Sequence, residues 1–68
     1  MTMTIIVNDK PHQTSEGITI AQLLAELGYG RDGVAVAIDE KVVPLSQWEA
    51  QTLSEGVSLI IIQAVSGG

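Results

Sequence analysis

The stretch Leu59-Ile60-Ile61-Ile62 decides the fold, because it is the most hydrophobic part of the chain and leads directly to its last residues. Four consecutive large aliphatic residues predict a strand that is apolar on both faces, as strands at the centre of a sheet are. We expect this strand to run from Val57 to Gln63, after a turn at Glu55-Gly56. The domain should therefore be built around a central strand that comes last in the chain.

The segment after this strand ends in Gly67-Gly68 and has no bulky side chain at its tip. Glycine tolerates nearly any φ and ψ and lets a backbone approach a partner closely. We therefore expect a flexible tail, about residues 64–68, in which Ser66 and Gly67 thread into a partner's active site and the Gly68 carboxylate is the reactive group. At about 3.3 Å per residue, the chain from Gln63 to Gly68 reaches roughly 20 Å, so the folded body can stay outside. The alternative is a frayed end with no role, because chain termini are usually disordered.

The N-terminal part of the chain predicts a hairpin. Met3, Ile5 and Val7 recur with period two, and many residues in the segment are β-branched, which is typical of a half-buried strand. Turn chemistry follows at residues 8–11, and residues 12–15 predict a short polar return strand that ends before Gly17.

The clearest local signal is a helix from Thr19 or Ile20 to Leu27. Thr19 and Gln22 have the spacing of a capping box, and Ile18 and Leu23 have that of a hydrophobic staple. Gly28 is the expected left-handed stop. One apolar stripe recurs at i, i+3, i+4 and i+7: Ile20, Leu23, Leu24 and Leu27.

The second half of the chain predicts a third strand, a brief return strand and a helical turn. The third strand covers residues 34–38, and the return strand ends before Pro44. Ser46 and Glu49 have a second capping-box spacing, which indicates a helical turn from Ser46 to roughly Ala50. Trp48 within it is either a satellite core residue under the long connection or an interface anchor.

These elements predict one α+β domain over residues 1–68, with one main helix packed across a mixed sheet of four to five strands. The first and last strands can pair in parallel at the centre, because a helix-containing crossover separates them. One sheet face would then pack on the helix through Met3, Ile5, Val7, Val34, Val36, Ile38, Val57, Leu59 and Ile61. The other face would present Ile6, Ala35, Ala37, Ile60 and Ile62 as a partner-docking face, unless a loop covers it or central strands are simply apolar all round.

Composition narrows the function. The chain has 68 residues and no cysteine, so it holds one small domain without disulfides or a cysteine metal site, and its lone His12 cannot anchor a structural zinc. A net charge of −5 argues against binding to nucleic acid. The charge either steers the chain to a basic surface of a partner protein or only keeps the chain soluble. No signal peptide or apolar span of about 20 residues is visible, so we expect a cytoplasmic protein without membrane contact.

The sequence argues against an enzyme. Residues 28–33 match G-x-G-x-x-G, but a helix precedes them and a strand follows, the reverse of the order that binds a dinucleotide. His12 is the only histidine and lies in the predicted hairpin, where a surface role is expected. Asp39 and Glu40 are neighbours on a turn and are expected to be solvated.

The chain resembles the ubiquitin-like β-grasp sulfur carriers, and among them the ThiS family of thiamine biosynthesis. The resemblance covers the whole chain, although residues 64–66 match it more loosely. It is carried by the following segments: Ile5-Ile6-Val7-Asn8, the helix Ile20 to Leu27, Val34-Ala35-Val36-Ala37-Ile38, Val43-Pro44 followed by Trp48, Glu55-Gly56, and Gly67-Gly68.

The resemblance implies a sulfur carrier that is a cosubstrate and not the catalyst. An E1-like adenylating enzyme would use ATP to activate the Gly68 carboxylate. A persulfide, supplied indirectly by a cysteine desulfurase or another donor, would convert it to a thiocarboxylate, and thiazole synthase would take the sulfur. No cofactor would be bound by the chain itself. The alternatives are a carrier for molybdopterin or another sulfur-relay pathway, a non-covalent ubiquitin-like interaction module, and a protein modifier that forms isopeptide bonds.

Overall fold

The computed structural model describes residues 1–30 and 32–63, and these form a single mixed sheet with one helix across one face. A short 3-10 helix, Leu45–Gln47, lies between the fourth and fifth strands. The other elements, in chain order, are β1 Thr2–Val7, β2 Lys10–Ser15, α1 Ile20–Leu27, β3 Val34–Ile38, β4 Lys41–Val43 and β5 Ser58–Gln63.

The strand order is β2-β1-β5-β3-β4, so the last strand lies at the centre of the sheet. β1 and β5 run parallel, with Ile6 opposite Ser58, and the other neighbouring strands are antiparallel. A parallel pair needs a long crossover, which here contains α1 and the rest of the sheet. The predicted α+β architecture and the central position of the last strand are confirmed.

Both hairpins close through two-residue turns in the left-handed region. Asn8 and Asp9 have φ of 51° and 67°, and Asp39 and Glu40 have φ of 50° and 68°. Turns with positive φ at both central residues match the twist of the paired strands. The return strand β2 begins at Lys10, two residues earlier than predicted, because so tight a turn pairs Lys10 directly with Val7.

The helix begins and ends as predicted. The Thr19 Oγ1 accepts a hydrogen bond of 3.1 Å from the Gln22 N–H, and the Gln22 Oε1 accepts one of 3.0 Å from the Thr19 N–H. Gly28 adopts φ 86° and closes the last turn. The segment 28–33 therefore follows a helix C-terminus, as the sequence pattern predicted; Arg31 lies outside the described residues.

The crossover before β5 is packed against the start of α1. The carbonyls of Trp48 and Gln51 accept 3.0 Å hydrogen bonds from the first helical N–H groups. The predicted cap at Ser46 is wrong: the turn begins one residue earlier, at Leu45, and its N-cap residue Pro44 makes no side-chain cap hydrogen bond. Pro44 has φ −60° and ψ 146°, an extended conformation that the proline ring allows, and the helical turn starts at the residue after it.

The core lies between α1, the crossover and the inner face of the sheet. Trp48 is only 2% exposed, and its Nε1–H donates to the Val43 carbonyl at 3.0 Å, so it is a core residue and not an exposed anchor. The predicted helix-facing residues are all buried or partly buried in this cluster: Met3, Ile5, Val7, Val34, Val36, Ile38, Val57, Leu59 and Ile61.

Candidate functional site

The sheet face turned away from α1, called the outer face below, is left uncovered by the described residues. The cross-strand register places Ile60 opposite Ala37 and Ile62 opposite Ala35. Ile60 and Ile62 are 49% and 60% exposed, Ala35 is exposed, and Ala37 and Ile6 are partly buried. The structure therefore brings together all five residues predicted for the docking face.

Val42 belongs to the same face and was missed by the sequence interpretation. It pairs with Ala37 on β4 and is 74% exposed. The signal was present in the sequence, since a two-residue turn at Asp39-Glu40 places residue 42 opposite residue 37. Ile60, Ala37 and Val42 thus form one apolar row across three neighbouring strands.

Two members of this row, Ile60 and Ala37, line a concavity of about 420 Å³. It lies where β5 begins and where the turn between β3 and β4 leaves the sheet. Its lining residues combine apolar and acidic side chains: Ala37, Asp39, Glu40, Ser58 and Ile60. The outer face is therefore apolar along its middle and acidic at one end.

Asn8 holds the other end of β5. β1 ends at Val7, yet the Asn8 side chain continues the ladder: its Oδ1 accepts from the Ile61 N–H at 2.8 Å, and its Nδ2–H donates to the Ile61 carbonyl at 3.3 Å. A side-chain amide here imitates the next peptide group of a parallel strand. The strand that leads to the tail is thereby fixed on both edges as far as Ile61, which also pairs with Val36 of β3.

The predicted tail residues Ser66, Gly67 and Gly68 lie outside the described residues. The described part of β5 ends at Gln63, which pairs with Val34 at the start of β3. The described part of β5 therefore ends at the side of the sheet where Ile62 is exposed, and the roles assigned to the tail stay predictions.

His12 contacts the helix and not the outer face. Its Nε2–H donates to the Glu26 Oε2 at 2.9 Å, and the Thr14 hydroxyl donates to the same oxygen at 3.1 Å. The hydrogen bond from His12, followed by that from Thr14, lowers the pKa of Glu26 below its ordinary value of 4.5. This cluster joins α1 to the edge strand β2, which agrees with the surface role expected for His12.

Two other kinds of site are absent from the described residues, a metal-binding cluster and a membrane-spanning helix. Residues 1–30 and 32–63 contain no group of three or more histidine, cysteine, aspartate or glutamate side chains that could hold a metal ion. No helix among them is long and apolar enough to span a membrane.

Comparisons with known proteins agree with this geometry. The family model described as the ThiS family matches residues 4–68. The chain belongs to the ThiS family. It is 33% identical to the sulfur carrier protein ThiS of Escherichia coli K12 over 66 residues, which cover 97% of this chain and all of that protein. The family assignment confirms the predicted resemblance and supports a sulfur carrier protein and not an enzyme.

Solved structures of this family share the fold. The crystal structure of the thiamine biosynthesis protein ThiS from Geobacter metallireducens superimposes with a TM-score of 0.82 at 25% identity. It covers 97% of this chain and all of that one. The β-grasp architecture expected from the sequence is confirmed.

Two thiazole synthases also contain a segment similar to this chain. Those of Paramagnetospirillum magneticum and Magnetococcus marinus are 30% and 32% identical to it over 66 residues. The alignment covers 97% of this chain but only 20% of each synthase, so this chain spans about a fifth of their length.

Proposed function

We propose that this chain is a sulfur carrier of thiamine biosynthesis that delivers sulfur to a thiazole synthase as a thiocarboxylate on Gly68. The observation that carries the proposal is the family match, which extends over residues 4–68 and so includes the Gly-Gly segment. The domain organisation follows: residues 1–68 form one β-grasp body with a tail, about 64–68, that enters the partner's active site. Ser66 and Gly67 thread into that site, and Gly68 carries the reactive group.

The chemistry needs activation because a free carboxylate is a poor electrophile. An E1-like enzyme joins the Gly68 carboxylate to the α-phosphate of ATP, and pyrophosphate leaves. The terminal sulfur of a protein persulfide, formed with a cysteine desulfurase or another donor, attacks the acyl carbon and AMP leaves. A second thiol then cleaves the acyl persulfide at its S–S bond, which leaves the thiocarboxylate. ATP and sulfur donor are used by these partners, and the carrier binds no cofactor of its own.

A thiazole synthase is the partner with the strongest support. Two relatives join a segment like this chain and a thiazole synthase in one polypeptide. Linking two proteins that act on each other raises the effective concentration of each near the other. A fusion of this kind is therefore expected for a carrier and the enzyme that accepts its sulfur. The similarity to two thiazole synthases favours the thiamine pathway over the molybdopterin pathway.

The outer face supplies the docking surface in this proposal. The outer face exposes three large apolar side chains, Ile60, Ile62 and Val42. Two of them, Ile60 and Ile62, lie on β5, the strand that leads to the tail. Removal of aliphatic surface from water is favourable by about 25 cal/mol for each Å², and only the part that exceeds the cost of association appears as affinity. A partner bound there would hold the tail within reach of its active site.

Intact-mass spectrometry tests the proposal directly. The purified chain is incubated with its adenylating enzyme, ATP and a persulfide donor, and we expect a mass increase equal to the exchange of one oxygen for one sulfur. A chain that lacks Gly68 should fold normally and show no exchange. An unchanged mass of the full chain, under conditions that modify the Escherichia coli carrier with its own enzymes, would contradict the proposal.

The docking face is tested by Ile60→Asp, with Val57→Ala as a matched control on the inner side. Ile60 is half exposed, so the variant should stay folded with a moderately lower unfolding midpoint, because Asp is a poor strand former, while the charge weakens binding to both enzymes. Val57→Ala should lower stability and leave binding intact while the chain is folded. If Ile60→Asp binds as tightly as the wild type, the outer face is not the docking surface.

A further inference from the structure

The concavity lies at the end of the outer face where β5 begins, and the family assignment does not explain its composition. Its floor is aliphatic, from Ala37 and Ile60, and its rim carries the carboxylates of Asp39 and Glu40. A partner surface that is apolar throughout would leave these two carboxylates without a countercharge. Their position therefore indicates the chemistry of what covers this part of the face.

The two carboxylates are held in place and left unpaired. Residues 39 and 40 form the tight turn between Ile38 and Lys41, which pair across the hairpin, so the backbone beneath both side chains is fixed. Within residues 1–30 and 32–63, neither Asp39 nor Glu40 makes a hydrogen bond or ion pair, and both are exposed. Two carboxylates that are fixed in position, have no countercharge and lie beside apolar surface are suited to bind a cationic side chain with an aliphatic stem.

We propose that this concavity receives an arginine or lysine side chain of the thiazole synthase, an inference that rests on the proposed function. The aliphatic stem of such a residue would pack on Ile60 and Ala37 while its charged head meets the two carboxylates. A guanidinium is the better fit, because its planar donors pair with carboxylate oxygens in a bidentate manner. The net charge of −5 also favours a basic partner surface.

The position of the concavity gives this contact a second consequence. It lies beside Ser58, and Gln63 follows five residues later on the same strand, which is about 16 Å in an extended chain. The concavity and the last described residue of β5 therefore lie at opposite ends of that strand. An apolar patch alone allows several orientations, whereas a charge pair at one end fixes which end of the carrier points to the active site.

The test measures binding of the full chain to the purified thiazole synthase of the same genome by titration calorimetry, at low and high salt. The variants are Glu40→Gln, the double variant Asp39→Asn with Glu40→Gln, and the control Glu16→Gln. Glu16 follows the edge strand β2, at the side of the sheet opposite β4, and is exposed. Glu16→Gln and Glu40→Gln make the same chemical change, so they separate a local contact from net charge.

We expect the double variant to bind at least about tenfold more weakly at low salt, as close charge pairs across interfaces do when neutralised. Glu16→Gln should change affinity less than about twofold, and the difference should shrink at high salt because exposed charges are screened. The proposal is overturned if Glu16→Gln and Glu40→Gln lose the same affinity, if the double variant binds like the wild type, or if the wild type does not bind.

A failure of this inference can be told apart from a failure of the proposed function. The oxygen-for-sulfur mass shift at Gly68 depends on the adenylating enzyme and donor, and it should persist in the double variant at saturating enzyme. A normal mass shift with unaltered synthase binding overturns the cationic anchor alone. The absence of any mass shift in the wild type contradicts the carrier function itself.

Discussion

Removal of the Asn8 side chain should loosen the central strand and lower stability by a predictable amount. Its amide makes two hydrogen bonds, of 2.8 and 3.3 Å, with the backbone of Ile61, a residue that is only 5% exposed. Each such bond contributes about 0.5–1.5 kcal/mol net, so the pair should be worth about 1–3 kcal/mol. The variant Asn8→Gly deletes the bonds while keeping a residue that accepts the φ of 51°.

Asp9→Gly is the matched control. Asp9 lies in the same turn with φ 67°, and its side chain makes no hydrogen bond or ion pair within the described residues. Both variants relieve left-handed backbone strain and add the same freedom to the unfolded chain. The difference between them therefore isolates the two bonds to Ile61.

Urea unfolding followed by circular dichroism measures this difference. Asn8→Gly should be about 1–3 kcal/mol less stable than Asp9→Gly, which for a chain of this size lowers the Tm by about 4–8 °C for each kcal/mol. Amide hydrogen exchange should show faster exchange at Ile61 in Asn8→Gly alone. Equal midpoints and equal exchange at Ile61 in the two variants would refute the conclusion that Asn8 holds the central strand.

Three further outcomes follow from the helix and the core. Thr19→Ala should lower stability by about 1 kcal/mol through loss of the N-cap, whereas Thr19→Ser keeps the hydroxyl and should stay close to the wild type in urea unfolding. Because the pKa of Glu26 is lowered in the folded state, its stabilising contribution is present above the ordinary carboxyl pKa and is lost as the pH falls through the lowered value. Glu26→Gln should therefore flatten the pH dependence of Tm in that acid range. Trp48→Phe removes the donor to the Val43 carbonyl and should cost about 1–3 kcal/mol in the same unfolding assay, and a cost below about 0.5 kcal/mol would show that water replaces the indole N–H.

Much of the fold could be predicted because its signals are local. The hydroxyl and amide of Thr19 and Gln22 are three residues apart, so the capping box depends on helix geometry and little else. The aliphatic run in β5 predicted a central strand because runs that are apolar on both faces are typical of strands inside a sheet. The error at Ser46 arose where Pro44 and the packing of Trp48 set the turn, which a spacing rule does not take into account.

The residues of the outer face could be predicted from alternation along the strands, whereas its member Val42 was missed. Alternation along a strand separates the two faces, so Ile60 and Ile62 could be assigned without knowledge of the neighbouring strands. Val42 needed the turn type at residues 39–40, because the register of a hairpin depends on the length of its loop. Ser66, Gly67 and Gly68 lie outside the described residues, so the roles assigned to them stay predictions.

Local patterns in the chain were sufficient for the helix, the strands, the central position of β5 and the separation of an apolar outer face, because these depend on periodicities of 3.6 and 2 and on residues close in sequence. Long-range packing was needed for the bond from Asn8 to Ile61, 53 residues apart, and for the concavity that joins Asp39 and Glu40 to Ser58 and Ile60. Contacts of that kind depend on which strands become neighbours and in which register, and only the closed sheet determines both.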